Sequence, residues 1–346
     1  MTVLSSLTPG AGRPVQRLTR DTPRRDGRET GIDALRYVAF LAVVLIHLPS
    51  YAVPADTRVS GGAILDQICR FAVPYFFIAS GFFLGGSRRP AAAQIARFVG
   101  RLLPVFAAWE VVYLVAHGTT WADISDPALW RSIVLRGGPG YHLWYLPSLG
   151  VCVTLAILLK DARPAVLLGA GVATFAVGLA FGPYRDWLGL PSIGDTRTGP
   201  WFGLVFVLAG LRIRALDLRP ALAWCLALVA LGIVLQVGEA ATLAATGHGR
   251  FAPNDFLIGT LPLGIGTFLL ARLLPSGPMT DRIGALGRVS LGAYCVHLLF
   301  VWLLVGPEQV RIGPWQQPAL MAAVATLATL TALALARIPL LNRLVR

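Results

Sequence analysis

Charged residues are scarce in this chain. Aspartate, glutamate, lysine and arginine together make up 14% of its 346 residues, whereas soluble domains carry about a quarter. Hydrophobic residues make up 55%, and the mean hydropathy is +0.67. These values exclude an ordinary soluble domain and indicate a protein that resides in a lipid bilayer.

Cysteine is rare as well. The four cysteines, Cys69, Cys152, Cys225 and Cys295, are far apart in the chain, form no C-x-x-C pair and all fall within apolar segments. This spacing does not fit a disulfide framework or a cysteine-ligated metal site. We expect the four side chains to be buried as small hydrophobic groups, and we expect no metal.

Acidic residues are outnumbered by basic ones, 17 to 30, which gives a formal net charge of +13. Nearly all of this charge lies in short loops between apolar runs, so it predicts a membrane orientation and no nucleic-acid partner. The first thirty residues are polar and basic and lack the apolar core of a signal peptide. We expect residues 1–30 to form a disordered cytoplasmic tail.

Ten apolar segments approach the length of about 20 residues that an α-helix needs to cross a bilayer. The sequence therefore predicts an all-α integral membrane protein, a bundle of about ten transmembrane helices. The predicted segments are residues 32–52, 63–86, 98–117, 143–159, 164–182, 199–213, 220–240, 255–274, 289–306 and 317–337. Between the fourth and fifth, the polar turn "KDARP" contains a proline and predicts a tight hairpin.

The charges in the loops predict how these segments cross the membrane. With the N-terminus in the cytoplasm, 21 of the 30 basic residues lie in cytoplasmic segments and seven in outer ones. This asymmetry is the positive-inside pattern and supports ten spans with both termini cytoplasmic. We expect residues 31–340 to form one transmembrane domain, followed by a cytoplasmic tail at 341–346.

The first segment carries an arginine near one end and a histidine near the other, Arg36 and His47. Their spacing of eleven residues corresponds to about 20° past three full helical turns and a rise of about 16.5 Å, so both side chains share one face. Asp33 is placed for an ion pair with Arg36. Because Asp33 is about 21 Å of rise from His47, a Ser-His-Asp triad built on these two residues is excluded. Ionisable groups within a membrane usually face the bundle interior, which favours a functional site here.

Six stretches of the chain resemble, in the same order, segments of the acyltransferase-3 family of multi-pass bacterial membrane enzymes. The resemblance covers roughly residues 31–340, and the helix-three arginines depart from the usual R-x-x-R spacing as Arg97-x-x-x-Arg101. The six stretches are "IDALRYVAFLAVVLIH" (32–47), "FAVPYFFIASGFFLGG" (71–86), "RFVGRLLPVF" (97–106), "HLWYLPSLG" (142–150), "RTGPWFGLVFVLAGL" (197–211) and "LGRVSLGAYCVHLLF" (286–300).

The resemblance implies an O-acetyltransferase-type enzyme in the bacterial inner membrane. It would use acyl-CoA, most often acetyl-CoA, as cosubstrate, with no permanently bound cofactor. His47 corresponds to the family's histidine and is our candidate base, since imidazole titrates near neutral pH. Arg36, with its partner Asp33, is the second catalytic candidate. Phosphate groups of the donor need arginines, and Arg36, Arg97 and Arg101 are the candidates.

Other polar residues are candidates for binding the acceptor, and several have alternative interpretations. Glu110 can stabilise a protonated His47, bind the acceptor or pair with Arg70, and pairing is slightly favoured. Trp144 can stack on a sugar or anchor the membrane interface. Arg197 is an acceptor or oxyanion contact, and Arg70 is a further candidate for binding the acceptor. The remaining residues of this kind have structural interpretations: core or interfacial histidines at His142 and His297, helix packing at Ser80, and lipid binding at Arg88 and Arg89.

Two classes of function are consistent with the sequence. The first is the acyltransferase, acting on a surface polysaccharide, a peptidoglycan-type or lipid-linked sugar, or a secreted glycosylated metabolite. The second is a transporter or flippase, because many carriers also combine about ten spans with intramembrane charges. Residues 31–180 and 199–340 show no convincing internal similarity, which favours the enzyme. A binding or sensor domain without chemistry would leave His47 dispensable.

Overall fold

The computed structural model describes residues 29–48, 61–87, 89–252, 254–306 and 316–345. Within these ranges the chain is helical and contains no β-strand. Two short 3-10 helices span Tyr141–Trp144 and Asn342–Leu344. The α-helices are α1 (Thr30–His47), α2 (Gly61–Cys69), α3 (Ala72–Leu84), α4 (Ala91–Ala116), α5 (Trp121–Ile124), α6 (Pro127–Arg136), α7 (Tyr145–Leu159), α8 (Pro164–Phe181), α9 (Arg185–Leu188), α10 (Pro200–Ala215), α11 (Leu222–Ala245), α12 (Thr260–Leu273), α13 (Pro278–Gly287), α14 (Ser290–Val305) and α15 (Gln316–Leu335).

All ten predicted segments contain helix, but among the described residues fewer than ten of these helices are long enough to cross a membrane. Seven spans in the described ranges meet that requirement, and the bent pair α13–α14, whose axes differ by 64°, would make an eighth. Helices α10, α12 and α14 contain 16, 14 and 16 residues. At 1.5 Å per residue they reach about 21–24 Å, less than the roughly 30 Å of a hydrocarbon core. The protein is therefore a multi-pass, all-α membrane protein.

The second predicted segment is divided into two helices. The break falls at Arg70 and Phe71, between α2 and α3. Pro74 lies four residues after Arg70, and its ring removes the backbone donor that would bond to the Arg70 carbonyl and clashes with that carbonyl. The break leaves the Arg70 side chain buried at the junction of the two helices.

Two glycines allow α3 and α10 to pack closely in the centre of the bundle. A Cβ atom on Gly210 would lie 2.0 Å from the carbonyl oxygen of Ile78, and a Cβ on Gly81 would lie even closer to that of Val207. No side chain fits at either position. Small residues of this kind bring membrane helices into backbone contact, and here they bring the inner faces of α3 and α10 together.

The hairpin at "KDARP", the four cysteines and the two chain termini were also predicted from the sequence. The hairpin at "KDARP" is present, since α7 ends at Leu159 and α8 begins at Pro164. All four cysteines are buried and free. Residues 341–345, predicted as a tail, pack onto the domain: Trp109 donates to the Leu344 carbonyl, and Val345 is fully buried. The predicted N-terminal tail, apart from residues 29 and 30, and Arg88 lie outside the described ranges.

Candidate active site

A cavity of about 950 Å³ opens between α1, α3, α4, α7 and the start of α14. One end is basic, because α1, the N-terminal half of α4 and the segments just before α4 and α14 contribute arginines to it. The other end is lined by aromatic and aliphatic groups, among them Phe76, Tyr145, Leu149 and Tyr294. The five arginines that line the cavity are Arg36, Arg89, Arg97, Arg101 and Arg288.

Arg36 and Asp33 form the ion pair that their spacing predicts. Nη1 of Arg36 lies 2.8 Å from Oδ1 of Asp33, and both residues line the cavity. The guanidinium of Arg36 also lies over the ring of Phe83, 4.9 Å from its centroid. Arg36 is therefore held against the wall of the cavity by an ion pair and a cation–π contact.

The other arginines at the basic end are exposed. Arg97 and Arg101 share one face of α4, as predicted, and Arg288, between α13 and α14, lines the same cavity. Within the part of the chain that the structure describes, none of the three forms an ion pair with a carboxylate. Their charges are free to bind an anionic group of a ligand. Arg89, for which lipid binding was preferred over donor binding, lines the same cavity, and so does Arg288, which was not predicted to bind the donor.

Three histidines that are distant in sequence form a cluster. His47 ends α1, His142 lies in the 3-10 helix before α7, and His297 lies in α14. The ring centroids of His297 are 5.0 Å from those of both His47 and His142, and the His47 and His142 centroids are 6.1 Å apart. His142 and His297, predicted to be structural, are thus immediate neighbours of the candidate base.

Backbone carbonyls determine which ring nitrogen carries the proton in two of these histidines. Nδ1 of His47 lies 2.8 Å from the carbonyl oxygen of Val43, and Nδ1 of His297 lies 2.5 Å from that of Tyr294. Since a carbonyl oxygen only accepts hydrogen bonds, each Nδ1 must donate. The Nε2 atom of neutral His47 therefore has a free lone pair, as a base requires.

A pair of tyrosines separates the cavity from the histidine cluster. Tyr145 and Tyr294 both line the cavity, and their ring centroids are 5.7 Å apart. On its other side, the Tyr294 ring lies 5.2 Å from that of His142, and its hydroxyl donates to the His142 carbonyl. Although Arg36 and His47 belong to one helix, they lie on opposite sides of this tyrosine pair.

Beyond His47 lies a network of alternating charges. Arg70 donates to Asp66 at 2.9 Å and to Asp255 at 2.9 Å, and Arg197 contacts Asp255 at 3.4 Å and Asp195 at 2.6 Å. Burial opposes ionisation of Asp195, but hydrogen bonds and charge from Arg197 outweigh it and hold the pKa of Asp195 below its ordinary value. Arg70, Arg197 and Asp255 are the charged groups whose electrostatic fields act on His47.

Three predicted acceptor contacts, Arg70, Arg197 and Trp144, lie in or against this network and are already engaged. Arg70 is 7% exposed, and its guanidinium is occupied by two carboxylates. Trp144 is 8% exposed, and the guanidinium of Arg197 lies 5.5 Å from the centroid of its ring. The more open groups around His47 are Tyr141, which is 44% exposed, and Asp255, whose side chain is 40% exposed.

Glu110 does not pair with Arg70, and the favoured interpretation of that carboxylate is wrong. Arg70 is paired with Asp66 and Asp255 instead. Glu110 is 3% exposed and lies beside Gly138, in the loop that leads to the 3-10 helix. Neither of its oxygens has a hydrogen-bond partner among the described residues. The sequence placed Glu110 in a membrane helix correctly, but its neighbours depend on the tertiary fold.

The site residues that the sequence analysis missed lie in or beside the segments that resemble the family. His142 and His297 both lie in such segments, and Arg288 lies within the last of them. A histidine occurs in three of the six matched segments, as His47, His142 and His297. This recurrence is the sequence signal that could have identified the histidine cluster. Among the described residues, no group of three or more histidine, cysteine or acidic side chains is arranged to hold a metal ion.

Comparison with known proteins identifies the family. A family model described as an acyltransferase domain, Acyl_transf_3, matches residues 29–337. The chain is 25% identical over 297 residues to a serine/alanine racemase of Enterococcus gallinarum, covering 78% of this chain and 40% of that protein. It is 32% identical over 123 residues to an amino-acid racemase of Enterococcus faecalis, covering 34% of this chain and 17% of that protein. The matches thus span less than half the length of either relative. No solved structure matches this chain.

Proposed function

Because this chain belongs to the acyltransferase-3 family and is a multi-pass membrane acyltransferase, we propose that it transfers an acyl group from acyl-CoA to a hydroxyl group. The acyl group is acetyl in the first instance, and the acceptor is an envelope glycan or a related extracytoplasmic molecule. The protein acts in the bacterial plasma membrane with both termini in the cytoplasm.

The observation that carries this proposal is the cavity with a basic entrance and an apolar end. Acyl-CoA has the same polarity: several phosphates at one end, then a long arm that carries the thioester. Arg97, Arg101 and Arg288 would hold the phosphates through charge-assisted hydrogen bonds. The arm would extend past Phe76 towards Tyr145 and Tyr294, which places the thioester near the tyrosine pair and the histidine cluster behind it.

His47 would act as the base on the acceptor side of the tyrosine pair. Its Nε2 takes the proton of the acceptor hydroxyl while the hydroxyl oxygen bonds to the thioester carbon. The C–S bond then breaks, and the proton passes from His47 to the departing thiolate of coenzyme A. Tyr141 and Asp255, the more exposed groups around His47, would contact the acceptor sugar. For the acyl group and hydroxyl to meet, the Tyr145 and Tyr294 rings must move apart.

The test measures transfer of radiolabelled acetyl groups from acetyl-CoA to isolated bacterial envelope glycans by purified protein in lipid. We expect the wild type to transfer label. His47→Ala should remain folded on size-exclusion chromatography, but its transfer rate should fall at least about a hundredfold, which is the loss typical of a missing general base. An Arg97→Gln/Arg101→Gln variant should raise the KM for acetyl-CoA. Arg131→Gln, at an exposed position on α6 away from the cavity, is the matched control.

The outcomes separate the parts of the proposal. Undiminished transfer by His47→Ala would remove the base from the mechanism. An unchanged KM in the double arginine variant would place the donor phosphates elsewhere. Absence of wild-type turnover with every envelope glycan would overturn the proposed acceptor class.

A further inference from the structure

We propose that His297 is a positioning residue that accepts a hydrogen bond from Nδ1 of His47 and stabilises the imidazolium that His47 becomes during transfer. The inference rests on the proposed role of His47 as base. It assigns to an imidazole the function that a carboxylate performs in a Ser-His-Asp triad. The sequence excludes Asp33 from that function because of its distance along α1.

The geometry gives His297 a fixed orientation and a lone pair that points at His47. His297 is fully buried in α14, and its Nδ1 donates to the carbonyl of Tyr294. Its Nε2 must then be unprotonated in the neutral ring. Nε2 of His297 lies 3.4 Å from Nδ1 of His47. The proton on Nδ1 of His47 is therefore shared between the Val43 carbonyl and His297.

None of the other described groups around His47 serves the same purpose. His142 donates through Nε2 to the carbonyl of Cys295 at 3.2 Å, and its Nδ1 has no partner within the described chain. Asp255 acts on His47 electrostatically, but it is bonded to Arg70 and Arg197. The Tyr141 ring lies 5.7 Å from the His47 ring, tilted by 44°, without a hydrogen bond to it.

A neutral acceptor at Nδ1 stabilises the imidazolium without adding an ion to the membrane interior. His297 also keeps Nε2 of His47 unprotonated before the reaction, because it favours the tautomer that carries the proton on Nδ1.

The test compares His297→Phe, which fills the space but has no lone pair, with His297→Gln, whose side-chain amide oxygen can replace Nε2. We expect His297→Phe to lower kcat about tenfold, the lower end of the effect of a hydrogen bond to a charged group. The KM for acetyl-CoA should stay unchanged, because His297 does not line the donor cavity. His297→Gln should recover most of the lost kcat.

His117→Phe is the matched control. It makes the same replacement at an exposed histidine at the end of α4, outside the cluster, and should behave as wild type. Equal kcat for His297→Phe and wild type overturns the inference while leaving His47→Ala to test the base. An equal loss of kcat in His297→Phe and His297→Gln also overturns the inference. So does a loss of kcat that is accompanied in both variants by early elution or a lowered melting temperature, since altered packing would then explain the effect.

Discussion

Replacing Arg70 by methionine is expected to destabilise the folded protein because it strands a buried carboxylate. Asp66 is 1% exposed, and three of the hydrogen bonds that its oxygens accept come from the Arg70 guanidinium. Removing one partner of a buried ion pair costs about 3–5 kcal/mol, because the remaining charge stays buried without compensation. Asp255 loses less, since its side chain is 40% exposed and it retains Arg197.

A second substitution tests whether the stranded charge is the cause. Asp66→Asn in the Arg70→Met background removes that charge and still accepts the hydrogen bond from Gln67. The double variant should recover most of the lost stability, because removing both partners of a buried pair is often close to neutral. Thermal unfolding in detergent, followed by tryptophan fluorescence, measures both variants beside wild type.

The same pair of variants distinguishes a structural Arg70 from an acceptor contact. If Arg70 only supports the fold, the double variant recovers acyl transfer together with its melting temperature. If Arg70 binds the acceptor, stability returns but the KM for the glycan stays high. A melting temperature of Arg70→Met within about 1 °C of wild type would refute the reasoning, because a destabilisation of 3–5 kcal/mol shifts the melting temperature by several degrees.

Three further predictions concern packing, donor choice and pH. Gly210→Val should prevent folding, because its Cβ would meet the Ile78 carbonyl at 2.0 Å. Size-exclusion chromatography measures this beside Gly169→Val, which should fold because a Cβ at that position meets nothing within 4 Å. Tyr145→Ala should raise kcat/KM for butyryl-CoA relative to acetyl-CoA about tenfold, because Tyr145 lines the apolar part of the cavity and two further methylenes gain about 0.8 kcal/mol each. An unchanged ratio would mean that the acyl group lies elsewhere. The Asp195–Arg197 contact holds the pKa of Asp195 below 3.8, so the stabilising effect of this contact should be fully present at neutral pH and be lost as pH falls below 3.8. The difference in melting temperature between wild type and Asp195→Asn measures this effect, and a difference that grows on acidification would contradict the predicted sign.

The positions of the helices could be predicted from sequence because a bilayer acts on each segment separately. Every predicted apolar segment contains helix, and the hairpin before Pro164 is present. The number of complete spans was less predictable. Segments such as 199–213 are apolar enough to be counted, but their helices are shorter than a hydrocarbon core. The break at Arg70 follows from Pro74, a local effect that the sequence already contained.

Contacts within one helix were also predictable, whereas contacts between helices were not. The spacing of Asp33 and Arg36 alone predicts their ion pair, which the structure contains. Arg70 has one partner four residues away, Asp66, and another 185 residues away, Asp255. Only the second requires knowledge of the fold. The same limit explains why Glu110 was assigned to Arg70: both are intramembrane charges, and nothing along the chain says that they lie apart.

The sequence by itself determined that this protein is a helical membrane protein of the acyltransferase-3 family, since hydropathy, helical spacing and short motifs are all properties of neighbouring residues. Tertiary structure alone decided that His47, His142 and His297 meet. It also decided that Tyr145 and Tyr294 stand between these histidines and the arginine-lined cavity. The physical reason is that these residues belong to helices whose rotation and depth are set by packing against several others, and packing depends on the shape of the whole bundle.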